Sequence, residues 1–383
     1  MFPPVKRKPR SVIRRSAVVM LATAALLLTI VGGFNFYVDS AGVLRDQTTT
    51  SNVKAYVAAM RQAKVGVPYT YYDRPIKLAV ATTSTADCVV TGSSHVMTFR
   101  VDRNAVIGAE CKALDNAGVS GASFEDSITI MGAALANPNV KHVYVGMDIW
   151  SLARHTSVRW RRVTQAFMQA RHAFGLPDDV YETRGGETVE AQLRELFSLE
   201  YLRLNYREVK KSLRGKATLV YSTKQLTEAD LRKKLALRSD GSLSYPSEFE
   251  PSPGDADLLI TDQWMVPPYF DPQVVDEMRK AVKALQQAGK SVTFVIGPYH
   301  PTVFQCAKPR ICEGMKVMDP VIRNLAAELN VQVIGGFEPA IFGLTRDSFI
   351  DFQHLRGSEL HRLRILQPAE VEEVRSHISN PTN

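Results

Sequence analysis

No acidic side chain occurs before Asp39, whereas Lys6, Arg7, Lys8, Arg10, Arg14 and Arg15 all precede it. The 383 residues carry 47 basic and 39 acidic side chains, a net charge of +8, and six of those bases sit in this tail. The remainder is nearly neutral, with 41 bases against 39 acids. Charge confined to one tail argues against the basic groove of a nucleic-acid binder, so no nucleic-acid partner is expected. Cysteine is scarce. Cys88, Cys111, Cys306 and Cys312 show neither C-x-x-C nor zinc-type spacing, so neither a metal nor another cofactor is expected. Internal repeats are absent, and the only compositionally biased tract is the Gly/Ser/Pro-rich stretch Ser239–Gly254. With 45% hydrophobic and 22% charged residues, the chain is neither wholly disordered nor collagen-like nor a coiled coil.

A long apolar run succeeds the tail. Ala17–Val38 contains no ionisable group except Tyr37 and ends in Phe34, Phe36 and Tyr37. About twenty apolar residues cross a bilayer. The basic flank is expected to stay cytoplasmic, with the aromatics at the far interface. No A-x-A site closes the run, which favours an uncleaved signal anchor over a removed signal peptide. The expected layout is a cytoplasmic tail at 1–16, a transmembrane anchor at 17–38, a juxtamembrane neck and helix at 39–85, and an α/β domain at 86–383. That domain would face the periplasm from the inner membrane. There, Cys88–Cys111 with Cys306–Cys312 is the most local of three disulfide pairings, four buried thiols being the alternative.

Short apolar runs then alternate with helical patterns, as in βα units around a parallel sheet. Strands are expected at Cys88–Val90, Ala113–Leu114, His142–Val145, Val292–Ile296 and Val331–Ile334. Helices are expected at Val53–Ala63, Asp126–Ala136, Pro272–Ala288 and Met318–Leu329. Residues 151–262, rich in Arg, Lys, Glu and Leu, break the rhythm and read as a largely helical insertion, a lid or a docking element.

Four segments fall at the ends of the expected strands, where open α/β sheets bind ligands. Gly92-Ser93-Ser94 leaves a strand through a glycine turn that can present a hydroxyl. Asn116-Ala117-Gly118-Val119-Ser120-Gly121 permits a tight loop with outward backbone N–H groups suited to an oxyanion. Asp148 closes the segment Val145-Gly146-Met147-Asp148 at the end of the His142–Val145 strand. Asp351-Phe352-Gln353-His354 spaces a carboxylate to orient an imidazole as a general base. His95 and His300 are further candidate bases, with pocket lining or loop capping as the other reading. Asp126 reads as a helix cap. Trp150, Trp160 and Phe167 form an aromatic stripe, either core or sugar platform.

The order of these segments resembles the SGNH (GDSL-like) hydrolase superfamily over roughly residues 86–150 and 290–357. The resemblance implies a flavodoxin-type parallel sheet sandwiched by helices. It makes Ser94 the nucleophile, with Ser93 one register away, and makes Asp351 and His354 its partners. The oxyanion hole would use the N–H groups of Ser94 and Gly121. The family's asparagine donor is replaced by Asp148, and an ionised carboxylate would repel the oxyanion. Loss of one such donor costs about 2.7–4 kcal/mol of transition-state stabilisation.

With the anchor and the stretch Phe36–Gly42, the chain is similar to membrane-tethered SGNH-like acyltransferases of cell-surface polymer modification. These include the alginate O-acetylation proteins and the D-alanine transfer protein of teichoic acid synthesis. The resemblance implies an acyl-serine passed to an exported polysaccharide beside a multipass membrane O-acyltransferase. An esterase of the same fold and a non-catalytic assembly protein are the alternatives.

Overall fold

The computed structural model describes residues 10–39, 51–70, 72–154, 159–177, 193, 196–213, 221–250, 270–307 and 309–379. The chain divides into two compact units. One comprises residues 1–45 with 179–219, and the other 46–178 with 220–383.

In the first unit, α1 (Arg10–Val38) contains the apolar run. Ser16–Val38 is long and apolar enough to cross a membrane. Every side chain from Ser16 to Ile30 is exposed, and the helix is apolar on all sides over this stretch. Toward its end the helix becomes selective. Gly32 lies against the ring of Phe197, and Asn35 donates to the carbonyls of Leu196 (2.9 Å) and Ser198 (3.1 Å). Asn205 donates to the Asn35 side-chain oxygen at 3.0 Å, and Tyr201 Oη donates to Asp39 at 2.7 Å. Asn35, Asp39 and Asn205 are fully buried, and each finds the partners that a buried polar group requires.

The second unit is α/β. Its helices before the site are α2 (Ser51–Arg61), α3 (Asp73–Thr82), α4 (Ala105–Glu110), α5 (Phe124–Ala136) and α6 (Thr164–Ala173). After α7 (Leu199–Leu213), which belongs to the first unit, come α8 (Glu228–Leu231), α9 (Pro272–Gln287), α10 (Pro309–Glu328) and α11 (Pro368–Ser379). The main sheet is built from β2 (Cys88–Thr91), β3 (Leu114–Asn116), β4 (His142–Gly146), β7 (Ser291–Ile296) and β8 (Gln332–Gly335). All are parallel, in the order β3-β2-β4-β7-β8. This is the flavodoxin-like order, whose switch point lies between its first and third strands, here β2 and β4.

Alternate residues of each strand point to opposite faces, and both faces are covered. Cys88, Val90, Tyr144, Val295 and Ile334 share one cluster with Ile107 and the C-terminal residues Phe342, Phe349 and Leu360. Val89, Val143, Val145, Phe294 and Ile296 are buried as well. Helix α5 packs against α3, α6 and α9, and α10 packs against β8 and α11. The α9 boundaries follow from local chemistry. Asp271 accepts from Gln273 N–H at 2.8 Å, Pro272 sits in the first turn, and Gly289 at φ +74° ends it.

The five strands of the sheet lie where the sequence places them, within one or two residues. Other expectations change. Residues 51–85 join the α/β unit, because Val53, Tyr56, Val57 and Met60 of α2 bury against Ile76 and Val80 of α3. Segment 151–262 is divided between the two units and is not helical throughout. Its β5 (Ala236–Leu237) and β6 (Leu243–Ser244) form a small antiparallel sheet with β1 (Val67–Pro68). The hairpin between them is fastened to the main sheet. Asn116 N–H donates to Asp240 O at 2.7 Å, and the buried Lys77 ammonium donates to Asn116 O (3.0 Å) and Gly241 O (2.6 Å). The neck residues 40–50, the tail before Arg10 and the tract 251–269 lie outside the described residues.

Cys88 and Cys111 form a disulfide, with Cα atoms 5.9 Å apart. Cys312 is also disulfide-bonded, while the Cys306 side chain lies outside the described residues.

Candidate active site

The site is built at the carboxyl ends of β2 and β4. After Thr91 the chain turns at Gly92, whose φ is +138°. A Cβ there would lie 2.8 Å from the Cα of Gly146 on the neighbouring strand, so both the backbone angle and the close approach require glycine. Ser93 is fully buried, and its hydroxyl accepts from His95 N–H at 3.2 Å, so it stabilises the turn. Ser94 points the other way. Its Oγ lies 2.7 Å from His354 Nε2.

The imidazole is oriented in turn. His354 Nδ1 is 2.7 Å from Asp351 Oδ2, and Asp351 Oδ1 accepts from the N–H groups of Gln353 and His354, both at 2.9 Å. Burial would raise the Asp351 pKa, but His354 and these N–H donors outweigh it and hold the carboxyl at about 2. The loop is clasped at its base, where Ile350 N–H donates to His354 O at 2.8 Å and Phe349 bridges to Leu355. His300 holds this loop from outside. Its N–H donates to Phe352 O at 3.1 Å, its Nδ1 accepts from Thr302 N–H, and its ring meets Phe349 edge-on.

The glycine loop is tied to the serine turn. Val119 N–H donates to Gly92 O at 2.9 Å, and the Asn116 amide donates to Val96 O (2.7 Å) and Phe99 O (3.1 Å). Gly121 has φ +55°, and a Cβ there would meet the Arg159 guanidinium at 2.6 Å. Asp126 accepts from Ser123 N–H (2.9 Å) at the start of α5 and also takes Arg74 in a two-pronged ion pair at 2.8 and 2.9 Å. Arg74 further reaches the carbonyls of Ser120 and Gly121, both at 3.3 Å. The capping reading of Asp126 thus captures half of what that carboxylate does.

Asp148 is not turned toward solvent. Its Oδ1 lies 2.7 Å from His95 Nδ1, and each side chain is only 3% exposed. The contact has the distance of an ion pair without the alignment of a hydrogen bond, since neither His95 ring nitrogen makes one. The His95 ring stands edge-on to His354, centroid to centroid 5.7 Å, and is packed by Tyr299 (5.4 Å) and Trp150 (6.0 Å).

No protein-family model matches the chain, and no curated protein matches it.

The aromatic stripe separates. Trp160 and Phe167 are buried against each other with ring centroids 4.9 Å apart, whereas Trp150 borders the site and donates to Ala122 O at 2.9 Å. Tyr245 joins the site without a sequence signal. Its ring lies 5.6 Å from that of His354. Arg356 pins the following turn by donating to the carbonyls of Ser247 (3.0 Å), Glu248 (3.1 Å) and Glu250 (3.0 Å). Nothing local marks Tyr245, because it reaches the site only through that hairpin. Asp148 as the partner of His95 was likewise not legible, although the position of His95 beside Ser94 was a signal. Among the described residues no cluster of three or more His, Cys, Asp or Glu is arranged to hold a metal ion.

Proposed function

We propose that the protein is a membrane-anchored serine O-acyltransferase that forms an acyl-Ser94 and passes the acyl group to a hydroxyl of an exported polysaccharide. The observation that carries this reading is the continuous relay Ser94–His354–Asp351, with contacts of 2.7 Å at both steps. Asp351, ionised throughout the neutral range, accepts from His354 Nδ1–H and leaves Nε2 as the base. Ser94 gives its proton to Nε2 as Oγ bonds to the acyl carbon of the donor. The donor C–O bond then breaks, and the leaving alkoxide takes that proton from His354. An acceptor hydroxyl next gives its proton to Nε2 and attacks the same carbon, and Ser94 leaves with the proton returned to it. The N–H groups of Ser94 and Gly121 are assigned to the oxyanion.

Transfer is favoured over hydrolysis when water is excluded, and Tyr245 and Trp150, which flank the two imidazoles, are the side chains assigned to that task. The apolar helix and the disulfide support an anchored domain in an oxidising compartment, read as the periplasm. An acetyl group delivered by a multipass membrane O-acyltransferase is the donor that the sequence resemblance favours.

Intact mass of the full chain in detergent after incubation with a soluble acetyl ester tests the core of the reading. The expected result is one acetyl adduct in wild type and in Ser93→Ala, and none in Ser94→Ala. Rapid ester hydrolysis that added oligosaccharide neither accelerates nor diverts would assign an esterase instead. Absence of any adduct or turnover in wild type would leave a non-catalytic assembly protein.

A further inference from the structure

The site holds two imidazole–carboxylate pairs. One, His354–Asp351, touches the nucleophile. The other, His95–Asp148, takes no part in the relay, although its histidine is next to Ser94 in sequence and its aspartate leaves the strand beside β2. Two roles are open to it. A second general base would need a ring nitrogen that a substrate hydroxyl can reach, and the His95 side chain is only 3% exposed, enclosed by Tyr299, Trp150 and His354. A Cβ at Gly297 would lie 3.1 Å from its Nδ1, so that side is closed too. Access excludes a base.

The remaining role is electrostatic. A carboxylate buried at the end of β4 opposes any negative charge that develops at the end of β2, and its effect is strong because little water screens it. We propose that His95 is held as an imidazolium by Asp148, and that this internal charge pair cancels the carboxylate and permits an oxyanion to form on the acyl group at Ser94. The inference rests on Ser94 being the nucleophile. His95 is then a positioning residue that never exchanges a proton with substrate.

The charges around the ring agree. Burial by itself would lower the His95 pKa. Asp148 chiefly, then Asp351 and Gln353, raise it above the ordinary imidazole value. Gln353 presents an oxygen with no hydrogen bond of its own. The other titratable groups facing the ring are His354 and Tyr299, and Tyr299 is held in its neutral form by burial and by Asp148. Within this shell His95 is therefore the cation that answers Asp148, and Asp148 is its nearest anion.

The protonation half is tested by nitrogen NMR of the full chain in detergent, labelled at its eight histidines, with His95 assigned by loss of its signals in His95→Gln. Both His95 nitrogens are expected to be protonated at pH 7 to 8, and Asp148→Asn is expected to turn His95 into a neutral ring. A neutral His95 in wild type overturns the proposal.

The catalytic half is tested on kcat/KM for an acetyl ester. His95→Gln is expected to lose about 10²–10³-fold, the scale of one oxyanion-stabilising contact. Asp148→Asn and the double variant His95→Gln/Asp148→Asn are expected to lie within about tenfold of wild type, since removing the carboxylate removes the need for the cation. A double variant no better than His95→Gln, or a His95→Gln within threefold of wild type, overturns it. If His95→Gln does not fold, Asp148→Asn decides alone, and a loss beyond a hundredfold in that variant overturns the proposal. A wild-type chain whose Ser94 takes up no acyl group defeats the acyl-transfer reading and this catalytic half together, while the NMR result on the pair still stands by itself.

Discussion

Ser94 and His354 are 260 positions apart in the chain, and their Oγ and Nε2 atoms lie 2.7 Å apart. The sheet makes the meeting possible. Ser94 leaves the carboxyl end of β2, and His354 sits on a clasped loop that comes after β8 and is held by His300 from beyond β7. Both ends of the pair are therefore fixed by backbone hydrogen bonds.

Asp351→Asn should keep the fold and lower kcat by about 10⁴-fold, because an amide cannot hold the imidazole in the tautomer that frees Nε2. Steady-state ester turnover checks this. The wild-type Asp351 carboxyl, held at about 2, keeps its contribution above the ordinary carboxylate range and loses it only as pH falls through about 2. Loss of activity near pH 5 in wild type should therefore not trace to Asp351.

Lys77 carries a pH signature. Burial presses its pKa down to about 8, against the pull of Asp73, Asp240 and Asp115. A lysine whose folded pKa is depressed costs stability while it is charged, and that cost is relieved as pH rises from about 8 toward the unfolded value near 10.4. The Tm of wild type relative to Lys77→Met should therefore increase between pH 8 and 10. Below pH 8 the variant still loses the two carbonyl contacts to Asn116 and Gly241, at about 1–3 kcal/mol.

The Cys88–Cys111 disulfide closes a loop of sequence separation 23. Replacing both cysteines by alanine should destabilise the α/β unit by about 3 kcal/mol, read from urea midpoints. Dithiothreitol should produce a comparable drop in wild type.

Asn35→Ala should loosen the first unit. The carbonyls of Leu196 and Ser198 and the amide of Asn205 would each lose a hydrogen bond, at about 0.5–1.5 kcal/mol apiece. Limited proteolysis should cut between residues 193 and 213 at protease concentrations that spare wild type.

Much of the sheet and the motif positions was legible because the signals are local. Apolar runs with helical or strand periodicity and a glycine turn after β2 depend on neighbours a few residues away. Helix α3 was missed for the opposite reason. Its apolar residues Ile76, Val80 and Ala81 are interleaved with Asp73, Arg74 and Lys77, all of which are buried. Those charges are tolerable only because Asp126, Ser120, Asn116 and Gly241 meet them from distant parts of the chain.

The sequence by itself determined a basic tail with an apolar helix, a parallel α/β sheet, and the segments from which a serine site is drawn. Tertiary structure decided which of two adjacent serines faces the imidazole, since Ser93 spends its hydroxyl on the turn and Ser94 does not. It divided segment 151–262 between two units and brought Tyr245 to His354. It also set Asp148 against His95, with each side chain almost fully buried. In each case the deciding quantity was the environment of a polar group, and desolvation and Coulomb energy depend on atoms that sequence proximity does not supply.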